Sequence, residues 1–318
     1  MPKIGILYGR ERTFPQAFVE RVNAMREGGI TAEAVRVNKV AQGDPTEYAV
    51  IIDRISQDVP FYRAYLKNAA LNGTAVINNP FWWSADEKFF NNCLATKLGV
   101  AVPRTVILPS KEHPADCTAE SFSNLAYPLD WDAIFAYVGW PAYFKPHAGG
   151  GWKNVYKVHN PEEFFAAYDE TGRLVMLLQE EVRFDDYYRC YCIGQEEVRV
   201  MPYEPRNPHH LRYQVNRPAA PAALLERIER DALALNRALG YDFNTVEFAV
   251  RAGVPLAIDF CNPAPDADRA SVGEGNFEWV VDAAARLAVR RARERRPGAA
   301  ALSWGAFVGS AAAGRPMP

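Results

Sequence analysis

The first 80 residues alternate strand-length apolar runs with stretches of helical period, and a chain patterned this way has few means of burying its apolar faces. Residues 3–8, 32–37, 48–54 and 74–77 are the apolar runs, and 14–28 and 62–71 are the helical stretches, the first striped by Phe14, Phe18, Val22 and Met25. Strands that alternate with helices pair in parallel, because a helix-length crossover returns the chain to the same end of the sheet. A mostly parallel α/β sheet with helices on its faces is therefore expected, with a domain boundary at Asn78-Asn79-Pro80.

Beyond that break the pattern becomes α+β. A helix is predicted over 86–98 with Gly99 as its stop, then a strand over 102–108, an irregular connection over 109–131 and a short helix over 132–138. Next come strand 142–145, loop 146–151, strand 154–158, a helix opened by Asn160 with Pro161 and Glu163, and strand 174–178. Residues 190–204 read as strand and 222–239 as a helix stopped by Gly240. A hairpin of 245–250 with 256–261 and a last helix over 277–296 complete the pattern. The expected division is 1–80, a linking segment 81–131, 132–181, 182–296 and a loose tail 297–318.

Composition excludes several functions. The net charge is −2, with 36 Lys and Arg against 38 Asp and Glu, so no global field attracts nucleic acid or an acidic membrane and ionic partners need a local site. No run of 18 apolar residues is present, and the opening apolar run is too short for a signal-peptide core. The five cysteines form no CxxC, so neither zinc spacing nor a disulfide framework is present. Cys190 and Cys192 alternate on one strand face and are expected to be buried thiols in a reduced, cytoplasmic setting. Arg290, Arg291, Arg293, Arg295 and Arg296 complement a helix C-terminus as a solvated face. His209-His210 is read as a loop pair, and Trp82-Trp83 as packing at the domain boundary.

Three features carry chemistry. Tyr143-Phe144-Lys145-Pro146 precedes His147-Ala148-Gly149-Gly150-Gly151-Trp152-Lys153. A lysine at a strand end before side-chain-free backbone suits phosphate, although the run lacks a Walker A sequence and taken alone is equally a hairpin turn. Gln179-Glu180-Glu181-Val182 follows the apolar strand at 174–178, where extended backbone can offer C=O and N–H groups to an adenine edge. In the hairpin, alternation puts Val246, Phe248, Leu256, Ile258 and Phe260 on a core face and Glu247 and Asp259 together on the other. Folding at Arg251-Ala252-Gly253 is expected to set these two carboxylates across from each other, with Cβ atoms roughly 4.5–5.5 Å apart. Such a pair repels unless a cation or a proton intervenes, and oxygen-only ligands suit Mg²⁺ bridging phosphates.

In order and spacing the three features resemble the ATP-grasp superfamily in its carboxylate–amine ligase branch, near the ribosomal-protein glutamyl ligase and glutathione synthetase-like enzymes. The resemblance covers most of residues 1–290 and implies an N-terminal α/β pre-ATP-grasp domain followed by a two-lobed ATP-grasp fold. It implies ATP and Mg²⁺ (or Mn²⁺) as cofactors, held between a lid near 132–181 and the part near 182–296. Lys88 and Lys145 match the phosphate lysines, Gly149, Gly150 and Gly151 the mobile lid loop, with Lys153 beside it. Gln179, Glu180, Glu181 and Val182 match the adenine segment, and Asp185 or Asp186 the ribose contact. Arg189 matches the arginine facing the transferred phosphoryl group, with Arg206 in a second such role, and Glu247, Asp259 and Asn262 match the metal ligands.

Two departures stand out. Tyr187-Tyr188 replaces an acid and an apolar residue before Arg189, and two residues instead of one separate Asp259 from Asn262. A strict strand would turn Asn262 to the opposite face, so a bulge is needed if it is to ligate. The activity implied is ATP-dependent joining of a carboxylate to an amine, amino-acid or peptide-like, through an acyl-phosphate. An ATP-grasp kinase and a non-catalytic ATP-binding regulatory protein are the alternatives. Nucleic-acid and membrane partners are not expected, and the pattern leaves monomer and homodimer open.

Overall fold

The computed structural model describes residues 1–81, 87–149, 153–213 and 218–294. The chain divides into two compact units, one from residues up to 83 together with those from 185 onward, the other from Ser84–Phe184.

The first unit opens with β1 (Lys3–Leu7), α1 (Thr13–Met25), β2 (Thr31–Ala34), β3 (Tyr48–Asp53), α2 (Pro60–Leu71) and β4 (Ala75–Ile77). Its sheet has the order β2-β1-β3-β4 with every pair parallel, the strand type that the alternating sequence predicts. Ile4, Ile6, Val50 and Ile52 bury one face against Phe14, Phe18 and Val22 of α1, and Ile51 packs the other against Leu66 and Ala69 of α2. Each of the large side chains so buried contributes about 1.5–3 kcal/mol. Connections from β1 and from β3 leave toward opposite edges, so their carboxyl ends part at a switch point.

The second unit contains α3 (Lys88–Lys97), β5 (Thr105–Leu108), α4 (Trp131–Val138), β6 (Ala142–Pro146), β7 (Tyr156–Val158), α5 (Pro161–Asp169) and β8 (Met176–Glu180). Its sheet is antiparallel, ordered β5-β8-β6-β7. Asn160 caps α5 as predicted, its Oδ1 accepting the Glu163 N–H at 2.8 Å. β8 runs two residues past the predicted end because both neighbours continue the ladder, Thr105 opposite Gln179 and Ala142 opposite Glu180.

The chain then rejoins the first unit as β9 (Asp186–Ile193), β10 (Glu197–Pro202), α6 (Ala222–Leu239), β11 (Phe243–Arg251), β12 (Val254–Asp259), α7 (Arg269–Val272) and α8 (Glu274–Glu294). These strands form an antiparallel sheet, β10-β9-β11-β12. Gly240 ends α6 with φ 70, the left-handed conformation that glycine adopts without strain. One core joins this part to the N-terminal sheet, with Phe277, Val280 and Ala284 of α8 among Ile4, Val50, Tyr191 and Phe243.

Burial pushes the Cys192 thiol up to about 12, which leaves it inert, and Cys190 beside it is equally buried. The arginines of α8 are paired: Arg290 with Glu196 at 2.6 Å, Arg291 with Asp242 at 3.2 Å, and Arg293 with Glu27. Arg295, Arg296, Trp82 and Trp83 lie outside the described residues. Among the described residues no helix is long and apolar enough to cross a membrane.

Candidate functional site

In the second unit, alternation along β6 sends Ala142 and Phe144 into the core and sets Tyr143 and Lys145 on the other face. Gln179 is opposite Tyr143, and its Oε1 accepts from Lys145 Nζ at 2.8 Å while its Nε2 donates to Thr105 Oγ1 at 2.8 Å. Lys88 is the first residue of α3; its N–H donates to the His147 carbonyl at 2.8 Å, and its ammonium donates to the Gly149 carbonyl. Both predicted phosphate lysines are thus tied to strand β6 or to the loop that leaves it. Gly149 has φ +83 and open space where a Cβ would be, and Gly150 and Gly151 lie outside the described residues. Lys153 is exposed.

Gln179 and Glu180 belong to β8 itself and are buried. The Glu180 N–H donates to the Arg104 carbonyl at 3.0 Å, and its carboxylate accepts from Arg104 Nε at 2.9 Å. Glu181 donates its N–H to Pro141 and pairs with Lys157 at 2.6 Å, and the half-buried Val182 follows.

In the first unit, β11 brings Glu247 directly opposite Asp259 on β12 and opposite Arg189 on β9. Ala252 (φ 50) and Gly253 (φ +74) make a two-residue turn with both residues left-handed, the form that matches strand twist. That turn pairs Phe248 with Ala257, and a regular ladder would then pair Glu247 with Ile258 and leave Asp259 on the far face. A bulge between Glu247 and Phe248 corrects the register. The bulge anticipated from the Asn262 spacing therefore lies earlier, beside Ile258, which is only half-buried, whereas Ala257 takes the fully buried position.

Arg189 is almost wholly buried, with Nε 3.4 Å from Glu247 Oε1, Nη1 donating to Tyr213 Oη at 3.0 Å and Nη2 to Thr245 Oγ1 at 3.3 Å. The guanidinium also lies 5.6 Å from the Tyr203 ring centre. Tyr187 Oη donates to Glu247 Oε2 at 2.6 Å. Burial raises the proton affinity of the Glu247 carboxyl; Arg189 opposes the rise, Asp259 adds to it, and the Tyr187 hydrogen bond opposes it. Among the described residues the ion-pair partner of the carboxylates is Arg189, which faces Glu247, and Arg212 adds a weaker positive field there.

The Asn262 N–H donates to Asn244 Oδ1 at 2.7 Å and its Nδ2 to the Thr245 carbonyl at 3.2 Å, which ties it beside the pair. The Arg206 side chain is 69% exposed and doubly hydrogen-bonded to Glu204 at 2.6 Å. Asp185 secures the β11–β12 hairpin, donating its N–H to Val250 at 2.8 Å and accepting the Ala252 N–H at 3.1 Å, and Asp186 opens β9. His209 Nε2 is 3.7 Å from Asp266 Oδ2. Tyr203, Tyr213 and Thr245 escape the sequence reading, which notes Tyr187 only as standing in place of an acid. Period-2 spacing on β9 puts Tyr187 beside Arg189, but nothing in the sequence signals Tyr213. Among the described residues no group of three or more His, Cys, Asp or Glu side chains could hold a metal ion.

No family model and no curated protein matches this sequence. Solved structures do. An ATP-grasp RimK domain protein from Sphaerobacter thermophilus superposes with a TM-score of 0.63 at 16% identity, covering 90% of this chain and 98% of its own. D-alanine–D-alanine ligase from Bacillus anthracis in complex with ATP gives 0.63 at 14% identity, covering 92% and 99%. The chain has the ATP-grasp fold. The ATP-grasp ligase PsnB, complexed with a minimal precursor, Mg and ADP, gives 0.59 at 16% identity over 91% of this ATP-grasp chain and 97% of its own.

Proposed function

We propose that this ATP-grasp protein joins a carboxylate to an amine through an acyl-phosphate and releases ADP and phosphate. The observation that carries the reading is the register of Glu247 with both Asp259 and Arg189 on the antiparallel sheet. Two carboxylates facing each other fit Mg²⁺ or Mn²⁺, hard cations that take oxygen ligands and would draw the remainder from nucleotide phosphates. When bound, the metal–nucleotide supplies the phosphoryl group that activates the substrate carboxylate. Glu247 and Asp259 hold the cation, and Asn262, tied beside them, offers its amide oxygen as a third ligand. Arg189 offers fixed positive charge where phosphoryl oxygens gather, and no protein nucleophile is needed. Lys88 and Lys145 neutralise phosphate, and the backbone of Glu180 and Val182 meets adenine.

Lys145→Ala leaves the Phe144 side of β6 intact, so unfolding should shift by no more than about 1 kcal/mol. A lost charge-assisted phosphate contact of about 1.5–3 kcal/mol should weaken ATP binding roughly 10–100-fold, and Lys88→Ala should do likewise. Calorimetry that finds both variants binding ATP like the parent protein would remove the lysines from the site.

The activity itself is tested by incubation with Mg–ATP and pairs of amino acids and short peptides. Equal release of ADP and phosphate that depends on both partners is expected. ADP without free phosphate would assign a kinase, and no ADP with any pair would leave a nucleotide-binding regulator.

A further inference from the structure

Glu247 and Asp259 face each other with unequal support. The Glu247 side chain is 16% exposed and each of its oxygens has a partner, with Arg189 Nε 3.4 Å from Oε1 and the Tyr187 hydroxyl 2.6 Å from Oε2. Asp259 is exposed and makes no hydrogen bond or ion pair among the described residues. One carboxylate is therefore held at both ends, and the other is free to adjust.

Tyr187 reaches Glu247 through strand geometry. On β9 it is next but one to Arg189, so the two side chains share a face. Arg189 stands directly opposite Glu247 on β11 and Tyr187 stands opposite Ala249. Glu247 is thus the diagonal neighbour of Tyr187, a separation that aromatic and long side chains span. The buried ring of Tyr187 lies 5.9 Å from that of Tyr203, whose N–H donates to the Tyr187 carbonyl at 3.0 Å. The Arg189 guanidinium lies 5.6 Å from the centre of the same Tyr203 ring. Both groups that hold Glu247 are braced against one aromatic side chain.

The kind of donor matters as much as its place. A phenol is protonated and uncharged at neutral pH, so it fixes a carboxylate oxygen without adding positive charge beside a bound cation. Arg189 already brings one full charge to the pair, and a second basic side chain would oppose the metal. A ligand held still also favours one class of ion. Mg²⁺ needs near-ideal octahedral geometry, whereas Ca²⁺ accepts more oxygens in flexible arrangements.

We infer that Tyr187 is a positioning residue that fixes Glu247 for a small, geometrically strict cation and so favours Mg²⁺ over Ca²⁺. This role rests on the metal assignment of Glu247 and Asp259 proposed above, and Tyr187 acts through Glu247 without touching the ion.

The test is thermal unfolding of the full chain with a fixed, saturating concentration of a nonhydrolysable ATP analogue, titrated separately with magnesium and calcium chloride. Tyr187→Phe keeps the ring beside Tyr203 and removes only the hydroxyl, so without metal it should melt close to the parent. Its half-maximal Mg²⁺ concentration should rise about tenfold or more, the scale on which outer-shell partners act. The half-maximal Ca²⁺ concentration should rise by a smaller factor, so the preference for Mg²⁺ falls. Tyr187→Leu, a second variant without a donor, should move the preference in the same direction. A tyrosine that only supports the fold would weaken both ions alike. An unchanged ratio of the two concentrations in either variant, whether neither ion or both are affected, would therefore overturn the positioning role. Asp259→Asn separates that failure from failure of the metal assignment. If Asp259→Asn keeps the parental Mg²⁺ response, the assignment falls and the role of Tyr187 with it. If Asp259→Asn loses that response while Tyr187→Phe keeps the parental ratio, only the role of Tyr187 falls.

Discussion

Asp259→Asn is expected to lose most of the stabilisation that Mg–ATP gives this protein and to lower ADP formation at least ~100-fold, the scale on which disturbed metal sites lose affinity and activity. Glu247 has Arg189 as its counter-charge and the Tyr187 hydroxyl as a hydrogen-bond donor. Asp259, directly opposite on β12, has no ion pair among the described residues, so it is the charge that a cation must satisfy. Asn keeps the shape and removes the charge. Without metal the variant should be as stable as the parent or more so, because the repulsion with Glu247 is gone. At a ligand concentration of about 100 Kd the parent should gain roughly 2.7 kcal/mol from Mg–ATP, and the variant a small fraction of that. Equal thermal shifts in the two proteins would refute the metal role.

The same pair shows what a sequence can and cannot disclose. Alternation alone put Glu247 and Asp259 on one face, and they share it. The means was hidden, because a two-residue turn at Ala252-Gly253 sends Asp259 to the far face unless one residue bulges. Sequence also does not tell which strand flanks β11, so the cation that faces Glu247 from β9 was matched by resemblance and not by register. The N-terminal sheet was legible because β1, β3 and β4 bury both faces and each helix one stripe, a pattern that local composition determines; β2, with only Ala32 buried, ends at Ala34 and not at 37. The extension of β8 through Gln179 and Glu180 was not, since polar residues inside a strand are accepted only when neighbours such as Lys145, Thr105 and Arg104 satisfy them. That Asp185 also accepts from the Ala252 N–H is not readable either, since this use depends on where the hairpin folds.

Replacing Arg189 should have the largest effect on folding. Removing one partner of a buried pair leaves the other charge without compensation, at a cost of about 3–5 kcal/mol. Arg189→Met fills similar volume, yet it takes from Glu247 its ion-pair partner, leaving the Tyr187 hydrogen bond and the weaker field of Arg212, and deprives Tyr213 and Thr245 of a donor. The pH dependence fixes the cause. Burial already holds the Glu247 carboxyl above its ordinary value of 4.5, and losing Arg189 raises it further. A carboxyl with a raised folded value binds its proton more tightly folded than unfolded, so folding is favoured at low pH. The penalty is absent below the ordinary value and grows as pH rises from there to the folded value. Arg189→Met should therefore recover stability as pH falls toward that ordinary value, and recover it more steeply than the parent. Adding Glu247→Gln removes the stranded charge and should return at least ~1.5 kcal/mol at neutral pH, the coupling expected of contacting charges. Denaturant unfolding of the parent, both single variants and the double across pH measures this cycle. Additive losses with parallel pH profiles would mean that Arg189 is held by its tyrosines alone and that Glu247 does not depend on it.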